Sequence, residues 1–294
     1  MLHARSRAPA WSALLAAQLT GIPLVTTVHG VYHSGNAAKR LYNSVMTRGD
    51  RVIAISEFLA EHLRETYPLN PLRLRVIQRG IDVFRFTPER VPPERTAAQA
   101  SAWGLEPGRP VVLLPARLSR IKGAAVLIEA IARLERRDLY CLLVGDDQGR
   151  QGYRGELEAL IARHGLGGIV KITGHCSDMA AAYLLADVVV SASTVAEGFG
   201  RTIVEAQAMG RPVIVTDLGP VAETVVRGET AWLVPAHDSA ALATAIRTCL
   251  ALSPERQAAL AVQAISHVAG HFTRERMCAE TLAVYRELPG AWPE

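Results

Sequence analysis

A chain of 294 residues that is 49% hydrophobic holds enough apolar material for one large or two medium globular domains. Its net charge of +4 is carried mostly by dispersed arginines, with only three lysines (Lys39, Lys122, Lys171), so no basic stripe for nucleic acid is present. The mean hydropathy is +0.15, yet no uninterrupted apolar run reaches about 18 residues, which excludes an ordinary membrane-spanning helix. The four cysteines (Cys141, Cys176, Cys249, Cys278) are scattered without a C-x-x-C pair. That spacing argues against a disulfide framework or a zinc site and for a reducing, cytoplasmic setting.

The apolar stretch from Trp11 to Leu19 follows two arginines but lacks a clean small-residue cleavage site, so it reads as a helix rather than a signal peptide. In chain order the first part predicts helix Ala8–Leu19, strand Leu24–Val28, helix Ala38–Thr47, strand Arg51–Ile55, helix Glu57–Tyr67 and strand Leu74–Ile77. Residues 87–110 are rich in proline and charge, with a helical patch at Thr96–Trp103, and read as a connection between domains. Six strands then alternate with helices: Val111–Leu114, Leu139–Val144, Val170–Thr173, Val188–Ala192, Pro212–Thr216 and Ala231–Val234, followed by helices Pro254–Val268 and Thr273–Leu288. Strict β-then-helix alternation predicts parallel sheets covered on both faces. The second part has the strand count of a complete doubly wound domain, whereas the first shows three strands.

In an open parallel sheet, ligands lie beyond the carboxyl ends of the strands, so the loops after the strands are the ones to read. The first is Arg117-Leu118-Ser119-Arg120-Ile121-Lys122-Gly123: three cations between a strand and a helix start, suited to a diphosphate, with Gly123 permitting close backbone approach. The second is Glu197-Gly198-Phe199-Gly200-Arg201, leading into a helix that carries Glu205. Its glycines permit a tight turn that aims free helix N–H groups at an anion. Glu197 and Glu205 flank that pocket and suit sugar hydroxyls, which donate hydrogen bonds. Glu205 also fits a capping box, Thr202-x-x-Glu205, and Asp178 fits the N-cap of the following helix better than a base contact. Ser56 reads equally as an N-cap, Gly80 as a turn needing positive φ, and Asp146-Asp147 as a solvated loop rather than a metal pair.

Taken together, these segments resemble the retaining glycosyltransferases of the GT-B fold, family four. Glu197 and Glu205 match that family's E-x7-E motif, and Arg117-x4-Lys122 its pyrophosphate pair. The run Glu205-Ala206-Gln207-Ala208-Met209-Gly210-Arg211-Pro212-Val213 resembles "EAMAxGxPV", with Gln207 for the usual Met. Gly219-Pro220-Val221-Ala222-Glu223 resembles "GGxxE", and Arg79-Gly80-Ile81-Asp82 resembles the "NGxD" hinge segment. The resemblance is strong over residues 111–235 and weaker before. It implies that Arg117 and Lys122 bind the leaving diphosphate, Glu205 the ribose, and Glu197 the donor sugar. Backbone around Phe199, Gly200 and Arg201 touches the distal phosphate, Gly174, Cys176 and Asp178 lie by the base, and His29 faces the transferred sugar. His3, Arg5 and Arg7 line the acceptor side.

The expectation is therefore an α/β GT-B chain of two doubly wound, Rossmann-like domains, the first incomplete. Residues 1–86 form an acceptor-side domain, 87–110 connect, 111–272 bind donor, and 273–294 cross back. The function expected is transfer of a sugar from a nucleotide-diphosphate sugar, with retention, to a glycan or lipid-linked acceptor in envelope or lipopolysaccharide synthesis. The setting is cytoplasmic, at the inner membrane face, without metal or cofactor. The rival readings are a nucleotide-sugar-binding remnant, a GT-B epimerase and a phosphorylase. A pyridoxal phosphorylase needs a Schiff-base lysine, and the second part offers only Lys122 and Lys171. With no counterpart of the family's opening strand and glycine-rich loop, the chain also reads as truncated at its N-terminus, prone to association and poor in transfer.

Overall fold

The structure, a computed structural model, describes residues 1–32, 35–149 and 151–290. The chain divides into two compact units, residues 1–80 with 197–199 and 271–294, and residues 81–196 with 200–270.

The first unit opens with β1 (Leu2–Ala4), α1 (Arg7–Thr20), β2 (Leu24–Val28) and α2 (Ala37–Asn43), and continues with β3 (Arg51–Ala54), α3 (Glu57–Thr66) and β4 (Leu74–Val76). The helix expected over Ala38–Thr47 breaks after Asn43 and finishes as a 3-10 turn, Ser44–Thr47. The sheet is parallel, with order β1-β2-β3-β4. It has four strands where three were expected, because Leu2, His3 and Ala4 pair in register with Leu24, Val25 and Thr26. Helix boundaries follow local chemistry. Gly21 ends α1 in the left-handed region (φ 70°) and donates its N–H to the Ala17 carbonyl. Ser56 caps α3 by accepting from the Leu59 N–H, so the capping reading of that serine is the one seen.

The second unit runs through α4 (Pro93–Ala102), β5 (Val111–Pro115), α5 (Ala124–Arg133), β6 (Tyr140–Val144), α6 (Gln151–Arg163), β7 (Val170–Gly174) and α7 (Met179–Leu185). It continues through β8 (Val188–Ser191), α8 (Arg201–Ala208), β9 (Val213–Thr216), β10 (Ala231–Val234), α9 (Ser239–Leu250) and α10 (Pro254–His271). Its six-stranded parallel sheet has order β10-β9-β8-β5-β6-β7. Every residue of β5 and β6 is buried, as expected of strands covered by helices on both faces. Leu127, Ile128 and Ile131 of α5 pack on Val112, Leu114, Cys141 and Leu143 beneath them. A fully buried side chain of this size contributes about 1.5–3 kcal/mol. Residues 87–110 group with this unit, α4 lying against α7.

The last helix, α11 (Arg274–Arg286), groups with the first unit. Val284 and Leu288 join Val25, Ile53 and Ile77 in that unit's core. Glu287 bridges Arg51 and Arg75 at 2.6 Å each, and these guanidiniums, Arg75 foremost, hold its carboxyl below the usual carboxylate range. Gly80 has no positive φ. The turn expected there is replaced by a close approach, since a Cβ on Gly80 would stand 2.1 Å from the Thr273 carbonyl oxygen.

Candidate functional site

In the second unit the strand order reverses between β5 and β8, and that is where an open parallel sheet forms its ligand crevice. The loops after these two strands are tied together. The Thr194 N–H donates to the Ile121 carbonyl at 2.9 Å, and Gly123 (φ 70°) lies so close to the Ala192 carbonyl that a Cβ would stand 1.7 Å from it. The loop after β6 joins them, because the Leu118 N–H donates to the Asp146 carbonyl and a Cβ on Gly145 would stand 2.1 Å from the Ala116 carbonyl oxygen. This mesh fixes the two cations expected to hold a diphosphate. Arg117 is exposed and donates to the Gln148 side-chain oxygen at 3.1 Å, and Lys122 ends a 3-10 turn, half-buried. Arg120, the third cation of the loop, turns away to pair with Glu156.

On the β8 side, Gly200 (φ 87°) starts α8, so the helix begins at Arg201 and the capping box expected for Thr202 and Glu205 does not form. Glu205 instead sits a turn in, 6% exposed, accepting a hydrogen bond of 2.9 Å from the Tyr183 hydroxyl and lying 3.2 Å from the Arg201 guanidinium. Burial and the facing carboxylate raise the Tyr183 hydroxyl well above the usual phenol range, so it stays protonated and donates. A buried carboxylate held by a donor at one oxygen and a cation at the other keeps acceptor capacity for a ligand hydroxyl. Tyr183 escaped the sequence reading. Its one signal is a polar-tipped aromatic ending the alanine run Met179-Ala180-Ala181-Ala182.

Beyond β7, Gly174 (φ 77°) turns the chain into an exposed loop carrying Cys176, whose thiol lies 3.5 Å from the Gln99 side-chain oxygen of α4. Asp178 caps α7 by accepting from the Ala181 N–H, and Arg95 of α4 grips both its oxygens at 2.6 and 2.8 Å. That grip is the first cause holding its carboxyl below the ordinary range. The capping alternative for Asp178 is thus seen. Arg95 carried no sequence signal, because α4 falls in the stretch read as connection. Asp146 and Asp147 accept from the Gln148 and Gly149 N–H groups that follow them. Among the described residues no cluster of three or more His, Cys, Asp or Glu is placed to hold a metal.

The first unit holds the remaining residues. His29 follows β2, and its Nε2 accepts from the Arg5 side chain at 3.4 Å. Residues 197–199 group with this unit: a Cβ on Gly198 would stand 2.2 Å from the His29 carbonyl oxygen, and buried Phe199 packs edge-on against Phe272. His3 bridges the Tyr285 hydroxyl and the Thr27 hydroxyl at 2.5 and 2.7 Å. His3, Arg5, His29, Arg79, Met277 and Tyr285 line part of a cavity of about 340 Å³.

Burial first, and Arg5 second, lower both histidines from the ordinary 6.5 to about 4. Both are neutral in the folded chain at pH 7, whereas the unfolded chain takes up protons near 6.5. Between pH 6.5 and 4 the unfolded state therefore binds more protons, and stability falls as pH falls. Solvent screening at these partly exposed rings trims the summed loss to roughly 1–3 kcal/mol. Thermal melts from pH 7 to 4.5 should show this slope, and His3→Gln with His29→Gln should flatten it. An unchanged slope in the double variant assigns the effect to other groups.

A doubly wound sheet with cations and a helix start at its switch point, beside a second parallel α/β unit, defines the GT-B class of α/β proteins. The family profile Glycosyl transferases group 1 matches residues 96–266 and Glycosyltransferase Family 4 matches residues 1–85. The chain belongs to the glycosyl transferases group 1 family. Among curated relatives it is 32% identical to a D-inositol 3-phosphate glycosyltransferase of Rhodococcus erythropolis, covering 93% of this chain and 64% of the relative, and so spans less than two thirds of that protein's length. Among solved structures, a glycosyltransferase from Rickettsia africae superposes with a TM-score of 0.91 at 36% identity, over 97% of this chain and 76% of that one. Anabaena Alr3699/HepE in complex with UDP-glucose gives a TM-score of 0.89 at 27% identity, over 98% of this chain and 79% of that one.

Proposed function

We propose that this chain binds a nucleotide-diphosphate sugar and serves the transfer of its sugar, with retention of configuration, to a glycan or lipid-linked acceptor of the cell envelope. The observation that carries the reading is the switch point between β5 and β8, with Arg117 and Lys122 on one side and the α8 N-terminus with buried Glu205 on the other. Fixed cations and a helix start in a tightly meshed loop set stabilise the charge that grows on a departing diphosphate without reorganising during the reaction. Glu205 takes the ribose hydroxyls, and Glu197 and His29 take the sugar. Uridine is the first base to test, since the Anabaena relative was solved with UDP-glucose.

A thermal-shift screen of UDP-, GDP- and ADP-sugars tests the reading. A ligand at a hundredfold excess over its Kd stabilises by about 2.7 kcal/mol, so the cognate donor should stand out, and none standing out rejects it. With two cations and a helix terminus on the diphosphate, binding should survive EDTA. An affinity lost on chelation and restored by manganese would make Asp146 and Asp147 ligands. Retention is read from the anomeric configuration of the product by NMR.

A further inference from the structure

The first unit carries an exposed face whose chemistry none of the above uses. Helix α1 buries only Ala10 and bears no charge after Arg7. Trp11, Leu15 and Leu19 recur at i, i+4 and i+8 along it, forming one stripe, with Leu15 58% and Leu19 78% exposed. A helix this exposed is ordinarily polar on its open face. The stripe continues onto α2 and the 3-10 turn after it. The Trp11 indole donates to the Tyr42 carbonyl at 3.2 Å, the Arg48 guanidinium stacks over the Trp11 ring at 5.2 Å, and Arg7 stacks over Tyr32 at 4.5 Å. Leu41 and Tyr42 are exposed, as are Lys39 and Arg40 beside them.

The charge on this face is one-sided. Residues 1–49 contain five cations, Arg5, Arg7, Lys39, Arg40 and Arg48, and no Asp or Glu. The first carboxylate, Asp50, accepts a hydrogen bond from the Leu24 N–H. A water-facing surface ordinarily mixes both signs. Exposed aliphatic side chains, interfacial aromatics and cations without carboxylates are together the complement of an anionic lipid surface. The leucines enter the acyl boundary, Trp11 and Tyr42 sit at headgroup level, and the cations meet lipid phosphates. We infer that the α1–α2 face of the first unit docks on an anionic bilayer surface, independently of any transfer chemistry. Among the described residues no helix is long and apolar enough to span a membrane, so the attachment lies along the surface.

Co-sedimentation with vesicles tests this. The chain should pellet with equimolar phosphatidylglycerol–phosphatidylcholine vesicles and not with phosphatidylcholine alone, and 1 M salt, which shortens the screening length to about 3 Å, should release it. Lys39→Gln with Arg48→Gln should weaken partitioning by about 25-fold, at about fivefold per cation. Leu15→Glu with Leu19→Glu should abolish it while leaving the melting temperature intact. Both substituted leucines are exposed, so folding is not at stake. Equal pelleting with neutral vesicles, none with anionic ones, or binding unmoved by either double variant overturns the proposal. A dimer of the parent chain that Leu15→Glu with Leu19→Glu disperses, without vesicle binding, assigns the face to a second copy and overturns it too.

Discussion

Replacing Lys122 or Arg117 by alanine is expected to weaken binding of a nucleoside diphosphate by about 10- to 150-fold, because a hydrogen bond to a charged group is worth roughly 1.5–3 kcal/mol. The bare nucleoside should bind as before. The two variants need not be equal. Arg117 is exposed and already donates to Gln148, so its anchor survives partly in water, whereas half-buried Lys122 lies in the turn that abuts the β8 side. Lys122→Ala is therefore expected to show the larger loss. Calorimetry with UDP and uridine checks this. Equal losses for both ligands would remove the phosphate role from this loop.

Gly123→Ala should damage the site more broadly. The residue has φ 70°, where a left-handed conformation costs an L residue about 1–2 kcal/mol, and its Cβ would be driven to 1.7 Å from the Ala192 carbonyl oxygen. Overpacking against backbone adds about 1–3 kcal/mol, so a loss of roughly 2–5 kcal/mol is expected. The loop between β5 and α5 must move to relieve the overlap, and Lys122 moves with it. A denaturant titration and a donor-binding isotherm on one preparation should both shift. Unchanged stability would show that the loop yields freely, and the mesh would then not be what places the cations.

The alternation of strands and helices made the second unit legible from sequence alone, since parallel strands buried on both faces read as plain apolar runs such as Val111 to Leu114. The loops at their carboxyl ends were equally plain, because glycine and charge interrupt an otherwise apolar pattern. β1 was harder to count, since it is three residues long and half-exposed, and only its register against β2 reveals it as a strand. Partners distant in sequence stayed hidden. Tyr183 meets Glu205 across two elements, and Arg95 reaches Asp178 from a helix that reads as linker. The capping box failed for a local reason, since Gly200 starts α8 two residues before Thr202. Gly80 was noticed for the wrong cause, because periodicity cannot distinguish a glycine kept for its dihedral angles from one kept for the carbonyl it nearly touches.

The strand order that makes the crevice also sets when the crevice comes into being. β5 takes β6 as one neighbour soon after it is made, but its other edge waits for β8, and the Val111 N–H meets the Asp187 carboxylate across 76 residues. At about 5–20 residues per second of synthesis, that edge stays open for several seconds on the ribosome. During that interval the apolar strand presents unpaired backbone to any passing chain. The switch point is thus the last part of the sheet to close during synthesis, and the cations of the β5 loop gain their geometry only at that step.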